Sequence, residues 1–231
     1  MRIKIVTALT LLAMMGTAGA EKTLPHEASI VYKPPMRGAP TNRVSGGARG
    51  GAIADIPTLV VLAPDHTGLT IRDQPTLYGF LSAPPDKGYI EFSLIEEHAI
   101  APLIERRIAA NGRLITVSLA SEGVRLKPDI DYLWNIALVF DPNNRSLDIV
   151  STGAIRHVAA GDELKKRLAA LDPAGQAQLY AEQGYWYDAI EAEENIAVKN
   201  DASPEARRQL ADLLSQAGLA AATSEHGETP K

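Results

Sequence analysis

Cysteine is absent from the 231-residue chain, and aromatic residues make up only 5% of it. Without cysteine there can be no disulfide, no thiolate metal site and no cysteine nucleophile. With so few aromatic residues, a folded core must rest on Ile, Leu, Val and Ala. Hydrophobic residues still amount to 45% and charged residues to 22%, which is typical of a globular protein. The length suits one large domain or two small ones.

The chain also lacks an excess of positive charge. It has 23 basic and 28 acidic residues, a formal net charge of −5. Proteins that bind nucleic acid carry clustered positive charge to neutralise phosphates, so this balance argues against a nucleic-acid partner. After the first 20 residues, no apolar run approaches the roughly 20 residues that span a bilayer, and we expect no transmembrane span.

The first 20 residues have the three parts of a secretory signal peptide. Arg2 and Lys4 form a positive start, and an apolar run of eleven residues follows at 5–15. Ala18 and Ala20 then provide the small-x-small pattern that signal peptidase cleaves. An uncleaved membrane anchor is the alternative, but eleven residues are too few to span a bilayer. We expect cleavage after Ala20 and export to the periplasm, or secretion.

Residues 21–55 form a basic arm rich in glycine and proline, with no acidic residue from position 28 to 54. Proline at this density extends the backbone and glycine denies it one conformation, which favours a tether. Alternatively, successive glycine amides can form a concave anion site over which arginines close. The residues that would form such a site are Arg37, Arg43 and Arg49, with Gly46 and Gly47.

Residues 56–158 contain short apolar runs separated by turn residues, which is typical of β-structure. Asn111 and Gly112 favour a tight hairpin between two of these runs, because both turn positions need positive φ. Seven strands at this spacing predict a β-sandwich. The predicted strands lie at 56–63, 76–82, 89–95, 102–108, 113–119, 131–140 and 147–158.

The segment from Leu126 to Tyr132 has the spacing Leu-x-Pro-x-x-x-Tyr ahead of an alternating run. It resembles the tyrosine corner of fibronectin type III and immunoglobulin-like domains. In that motif the Tyr hydroxyl bonds backwards to upstream backbone and pins the crossover between sheets. The resemblance gives Tyr132 this role, with Leu126 packed under the loop. Trp134 follows on the same strand face, and we interpret it as a core residue.

Residues 161–219 have a helical pattern and are expected to form a subdomain of about three helices. Asp172 followed by Pro173 predicts a helix start, because Asp caps the first amides and Pro suits the first turn. The spacing around Gly184 and Tyr187 resembles part of one tetratricopeptide repeat, in which small residues let two helices approach closely. A repeat array needs about three copies and only one is present, so we favour a helical hairpin packed on the sandwich.

Familiar catalytic motifs are missing. The sequence has no GxSxG, HExxH, EF-hand or GxGxxG pattern, and its five His show no paired spacing. Glu96, Glu97 and His98 are adjacent, so in a strand they would point to opposite faces. Asp141 and Asp148 could bind calcium through oxygens, but turn chemistry explains them equally well. We therefore predict no catalytic residue, no metal site and no cofactor.

Distinctive short motifs are spread over residues 30–218. They are YKPPxRGAP at 32–40, GGxRG at 46–50, GLT at 68–70, PT at 75–76, DPN at 141–143 and GxWYDA at 184–189. Together they resemble a bacterial family catalogued only as domain of unknown function 928. The resemblance implies an exported protein with strands followed by helices, and it implies no established activity. Family members are often encoded near extracytoplasmic sensor proteins, which implies a sensory accessory role.

We therefore predict an exported, non-catalytic interaction module. It would have an Ig- or fibronectin-III-like β-sandwich, a C-terminal helical hairpin and a polar, disordered tail at 220–231. The expected partner is another envelope protein. One alternative is a binding domain for an anionic small molecule or glycan through the Arg- and Gly-rich arm. Another alternative is a hydrolase that lacks a recognisable motif.

Overall fold

Two β-sheets packed face to face, followed by helices, make up the protein in a computed structural model. The structure describes residues 29–35, 57–83, 88–108, 113–199 and 204–219. The predicted signal peptide, most of the basic arm and the polar tail lie outside these residues. No described helix is long and apolar enough to cross a membrane.

Eight strands are present among the described residues. Three of them form an antiparallel sheet in the order β1-β3-β6. The second sheet has the order β2-β8-β7-β4-β5 and is antiparallel except where β2 runs parallel to β8. This division of strands is that of an Ig- or fibronectin-III-like sandwich, which confirms the predicted fold class. The strands are β1 (Leu59–Val61), β2 (Gly68–Thr70), β3 (Thr76–Leu81), β4 (Tyr89–Glu96), β5 (Ile104–Ile108), β6 (Leu114–Ser118), β7 (Asp131–Val139) and β8 (Ile149–His157).

The central strand β7 shows how alternation builds the core. Tyr132, Trp134, Ile136 and Leu138 point inward, and none is more than 1% exposed. Leu133 points to the outer face of the same strand and is 37% exposed. Because successive residues of a strand face opposite sides, this period of two places one apolar face between the sheets. Each such large side chain contributes about 1.5–3 kcal/mol when it is fully buried.

The predicted hairpin around Asn111 and Gly112 is wrong. β5 pairs with β4 in the five-stranded sheet, whereas β6 pairs with β3 in the three-stranded sheet. Ile115 and Val117 of β6 are buried in the core, while residues 105–107 of β5 are exposed. The two strands therefore belong to different sheets and differ in burial, although they are neighbours in sequence. Residues 109–112 lie outside the described part of the chain.

Four helices follow the sandwich in the described residues: α1 (Asp162–Ala169), α2 (Pro173–Glu182), α3 (Trp186–Lys199) and α4 (Pro204–Gln216). The Asp-Pro signal does begin α2, since the Asp172 carboxylate accepts a hydrogen bond from the Gly175 amide at 2.8 Å. α2 and α3 pack together, α4 packs on α3, and α3 packs on β2 and β3. The start of α3 therefore lies at the junction between the helices and the sandwich.

Candidate functional site at the junction of sandwich and helices

Three consecutive residues at the start of α3 are all buried. Trp186 and Asp188 have no exposed surface, and Tyr187 is 1% exposed. Successive helical residues point about 100° apart, so three of them are buried together only where the helix is enclosed on most sides. The start of α3 is therefore enclosed, and each of these side chains binds a different part of the sandwich.

Trp186 binds the segment that follows β1. Its indole N–H donates a hydrogen bond of 2.9 Å to the carbonyl of Leu62. The ring of Tyr32 packs edge-on against it, with ring centroids 4.9 Å apart. A buried indole N–H without a partner would cost free energy, and the Leu62 carbonyl removes that cost.

Tyr187 reaches into the core of the sandwich. Its hydroxyl accepts a hydrogen bond of 2.9 Å from the indole N–H of Trp134 and donates one of 2.8 Å to the carbonyl of Ala154. Two glycines make room for these rings. A Cβ on Gly68 would lie 2.6 Å from the Tyr187 ring, and one on Gly153 would lie 2.7 Å from the Trp134 nitrogen.

Asp188 binds the turn between β2 and β3. One carboxylate oxygen accepts a hydrogen bond of 2.9 Å from the amide of Ile71, and the other lies 3.3 Å from Nε of Arg72. Burial raises the pKa of Asp188 to about 6, and the hydrogen bonds from Ile71 and Thr70 and the charge of Arg72 offset only part of this rise. This carboxyl group therefore exchanges its proton in the mildly acidic range.

Arg72 connects Asp188 to a second carboxylate on the next turn of α3. Its NH1 lies 3.3 Å from Oε1 of Glu191, an oxygen that also accepts a hydrogen bond of 3.1 Å from the Thr76 hydroxyl. The Tyr180 hydroxyl on α2 is hydrogen-bonded to Arg72, and burial raises the pKa of this phenol. We call Arg72, Tyr180, Asp188 and Glu191 the junction cluster. One cation between two carboxylates leaves the cluster with net negative charge when both acids are ionised.

An open cavity of about 380 Å³ lies beside the junction cluster, between the start of α2 and the second half of α3. The guanidinium of Arg72 forms part of its wall, and the Arg72 side chain is 44% exposed. The remaining wall combines apolar and uncharged polar side chains with one carboxylate. These residues are Asp172, Pro173, Ala174, Gln176, Tyr180, Ala192, Asn195 and Ile196.

The polar side chains of this site attach the helices to the sandwich. The carboxylate of Asp188 and the hydroxyl of Tyr187 are each bonded to sandwich groups, so they join two parts of the fold. Among the described residues, no group of three or more His, Asp or Glu side chains could hold a metal ion. What remains accessible is the face of Arg72 that borders the cavity.

The predicted structural residues occupy the following places. The Tyr132 hydroxyl accepts a hydrogen bond of 3.1 Å from the backbone amide of Lys127, which is the tyrosine-corner geometry. Leu126 is 2% exposed and Trp134 is fully buried. Gly184 separates α2 from α3 with a φ of +80°. The proposed anion-binding residues Arg37, Arg43, Arg49, Gly46 and Gly47 lie outside the described residues.

Within the basic arm the structure describes residues 29–35, and this stretch is bound to the helices. The side-chain amide of Gln216 on α4 accepts a hydrogen bond of 2.9 Å from the Tyr32 amide and donates one of 2.8 Å to the Ile30 carbonyl. The Lys33 amide donates to the Ala181 carbonyl at 3.0 Å. Ile30 and Tyr32 are both buried. This stretch is therefore part of the folded body, and the tether interpretation stays a prediction for the rest of the arm, which lies outside the described residues.

Sequence reasoning did not assign Arg72 or Asp188 to a site. Asp188 did stand in a recognised motif, where it is the acidic member of the otherwise apolar run WYDAI. A charged residue inside such a run at a helix start is a signal of a buried ion pair, since a buried carboxylate needs a partner. Its partner was not predictable, because the Ile71 amide that binds it is 117 positions away.

The solved structures that match the chain include two with weak overall similarity. The chain is similar to the fn3 domain of human collagen alpha-1(XX) chain, with 10% identity, 51% of this chain and 93% of that chain covered, and a TM-score of 0.29. It is also similar to Astrotactin-2, a vertebrate perforin-like membrane protein, with 10% identity, 73% and 36% covered, and a TM-score of 0.30. The order and register of the strands in the two sheets define the fold independently of these similarities.

Sequence comparison gives a family. No curated protein matches the chain. The family model described as Domain of Unknown Function (DUF928) matches residues 44–226, from within the basic arm to beyond the last helix. Because this match covers most of the sequence, the protein belongs to the DUF928 family.

Proposed function

We propose that the protein is an exported, non-catalytic binding module of the cell envelope, in which sandwich and helices act as one rigid body. Its partner is another envelope protein, which it serves in a sensory or accessory capacity. The observation that supports this best is the use of Trp186, Tyr187 and Asp188. These polar side chains of the junction are bonded to the sandwich and hold the fold together. What other molecules can reach is therefore a rigid surface rather than a reaction centre.

The proposal is tested by photo-crosslinking in the producing bacterium. A photoreactive amino acid replaces Leu133 on the outer face of the five-stranded sheet, and in a second strain Leu171 between α1 and α2. The two leucines are matched, being 37% and 40% exposed. We expect one position, and not both, to give a discrete adduct with an envelope protein. Absence of any adduct at either position, with the protein folded and exported, would contradict the proposal.

Binding of a small anionic molecule is a second candidate, and the cavity beside Arg72 favours it. The exposed part of this guanidinium could bind a carboxylate or phosphate. We rank it second because Asp188 and Glu191 already pair with this guanidinium, and Asp172 adds a carboxylate to the wall of the same cavity. Calorimetric titration of wild type and Arg72→Gln with inorganic phosphate and acetate tests it, and a saturable signal in wild type alone would support it. Anion binding by Arg37, Arg43 and Arg49 stays a prediction.

A further inference from the structure

β5 forms one edge of the five-stranded sheet. Among the described residues, β4 is the strand that pairs with it, and its other edge has no strand partner. The three central residues Glu105, Arg106 and Arg107 are all exposed. An unpaired edge presents a row of backbone N–H and C=O groups that can pair with another strand. The side chains along the edge decide which strand that can be.

The charges of β5 match those of a second β5 in the antiparallel direction. If Arg106 lies opposite Arg106 of a second copy, each Glu105 lies opposite an Arg107, and each Ile104 lies opposite an Ile108. Opposite charges and β-branched pairs directly across two strands are both stabilising. A parallel, in-register pair would instead place every charge opposite its own sign. Charged side chains ordinarily protect a sheet edge against pairing, but the alternating signs along β5 make this edge complementary to a second copy of itself.

Arg106 would lie on the two-fold axis of such a pair, and its positive charge is already balanced within its own chain. Arg106 forms an ion pair with Glu122, which follows β6, so two facing Arg106 side chains need not repel as bare cations. Arg107 is held in place as well, because its guanidinium carbon lies 3.6 Å from the centre of the Tyr89 ring. Stacking of this kind uses the face of the guanidinium and leaves its N–H donors free for a carboxylate.

We propose that two copies of this chain form a symmetric dimer by antiparallel pairing of β5 with β5, which joins their five-stranded sheets into one sheet of ten strands. The contact is isologous, since the same patch serves both partners and closes on itself. It stands independently of the envelope partner proposed above. The contact area is small, so the dimer forms in a concentration-dependent way.

Charge reversal tests the pairing in the mature full-length protein. Sedimentation velocity over a range of concentrations measures association of wild type, Arg107→Glu, Glu105→Arg and the double variant. Each single change places like charges opposite each other twice, and we expect association to weaken at least about tenfold. The double variant restores opposite charges and should regain the wild-type association. A wild type that is monomeric throughout, or a double variant as weak as the singles, would overturn the proposal.

A single cysteine tests the register, because the chain has no other cysteine. Opposed residues of an antiparallel pair have Cα atoms about 4.5–5.5 Å apart, within the range of a disulfide. Arg106→Cys should therefore give a covalent dimer under mild oxidation. Glu105→Cys alone should give little, whereas a mixture of Glu105→Cys and Arg107→Cys chains should crosslink. Thermal melting confirms that each variant is folded, and equal crosslinking of all the single variants would refute the register.

Discussion

The indole N–H of Trp134, in the centre of the sandwich, donates a hydrogen bond of 2.9 Å to the hydroxyl of Tyr187 at the start of α3. The Tyr187 hydroxyl in turn donates a hydrogen bond to the carbonyl of Ala154. Both rings are buried, so no water competes for these groups. A helix that satisfies a polar group of the sandwich core cannot leave without exposing it. We infer that the sandwich and the helices unfold together as one cooperative unit.

Removing the Tyr187 hydroxyl tests this coupling. Tyr187→Phe leaves the Trp134 N–H and the Ala154 carbonyl without their partner, and each such buried group costs about 1–3 kcal/mol. Chemical denaturation should show a loss of about 2–6 kcal/mol in a single transition. Tyr185→Phe is the matched control, because the half-buried Tyr185 ring also packs against the core but its hydroxyl makes no hydrogen bond to the residues that the structure describes. Similar losses in both variants, or two separate transitions in the wild type, would contradict the coupling.

The tyrosine corner gives a smaller effect. Tyr132→Phe removes the hydrogen bond from the Lys127 amide, which lies in a partly exposed loop where water can replace the hydroxyl. We expect a loss of about 1 kcal/mol in the free energy of unfolding. Trp134→Ala, by comparison, should cost about 3–5 kcal/mol because it empties part of the core. Denaturation curves of the two variants measure both values, and a larger loss for Tyr132→Phe would reverse the ranking.

Stability should fall as the pH rises through about 6. Burial raises the pKa of Asp188 from 3.8 to about 6, so ionising this group costs more in the folded than in the unfolded state. Its contribution is fully present below pH 3.8 and is lost as the pH rises through the folded value. One pKa unit corresponds to about 1.4 kcal/mol, and the total is roughly 3 kcal/mol.

The pH effect is separable by substitution. Asp188→Asn should flatten the fall in stability between about pH 4 and 6 that denaturation reveals in the wild type. Glu193 is the control, because burial raises its pKa to about 7 and gives a contribution of the same sign at higher pH. Since the Glu193 contribution is lost between about pH 4.5 and 7, Glu193→Gln should halve the slope up to about pH 6, remove the fall from there to pH 7, and leave the part below pH 4.5 intact. An Asp188→Asn profile parallel to that of the wild type would show that Asp188 does not carry the effect.

Local patterns in the sequence predicted the parts of the fold that depend on local physics. The alternation of β7 and the Asp172-Pro173 helix start are set by residues within one strand or one turn, and both are present. Strand partners were not predictable in this way. The turn signal at Asn111 and Gly112 favoured a hairpin, yet β5 pairs with β4 and β6 pairs with β3, so the two strands belong to different sheets.

The same limit applies to the candidate site. Arg72 and Asp188 meet only because α3 packs across β2 and β3, and no local period encodes that contact. The burial of Trp186 and Tyr187 could have been suspected from their adjacency at a helix start. Their partners, the Leu62 carbonyl and the Trp134 indole, required the tertiary arrangement of both sheets.

A comparison of two glycines tests the attachment of residues 29–35 to the helices. Gly184 and Gly123 both have positive φ, at 80° and 69°. A Cβ on Gly184 would lie 2.9 Å from the Lys33 carbonyl oxygen, whereas a Cβ on Gly123 would have no atom within 4 Å. Gly123→Ala therefore measures the backbone cost alone, about 1–2 kcal/mol for a left-handed residue. Gly184→Ala adds the collision with the docked segment and should cost more.

Hydrogen exchange shows where that extra cost arises. In the wild type the Tyr32 and Lys33 amides are bonded to Gln216 and to the Ala181 carbonyl, so both should exchange slowly. Gly184→Ala should accelerate both, because relieving the collision moves the Lys33 backbone away from α2. Gly123→Ala should leave them protected despite its own loss of stability. If these amides exchanged equally fast in the two variants, residues 29–35 would be opening together with the whole molecule. Gly184 would then not be the residue that allows this segment to pack on the helices.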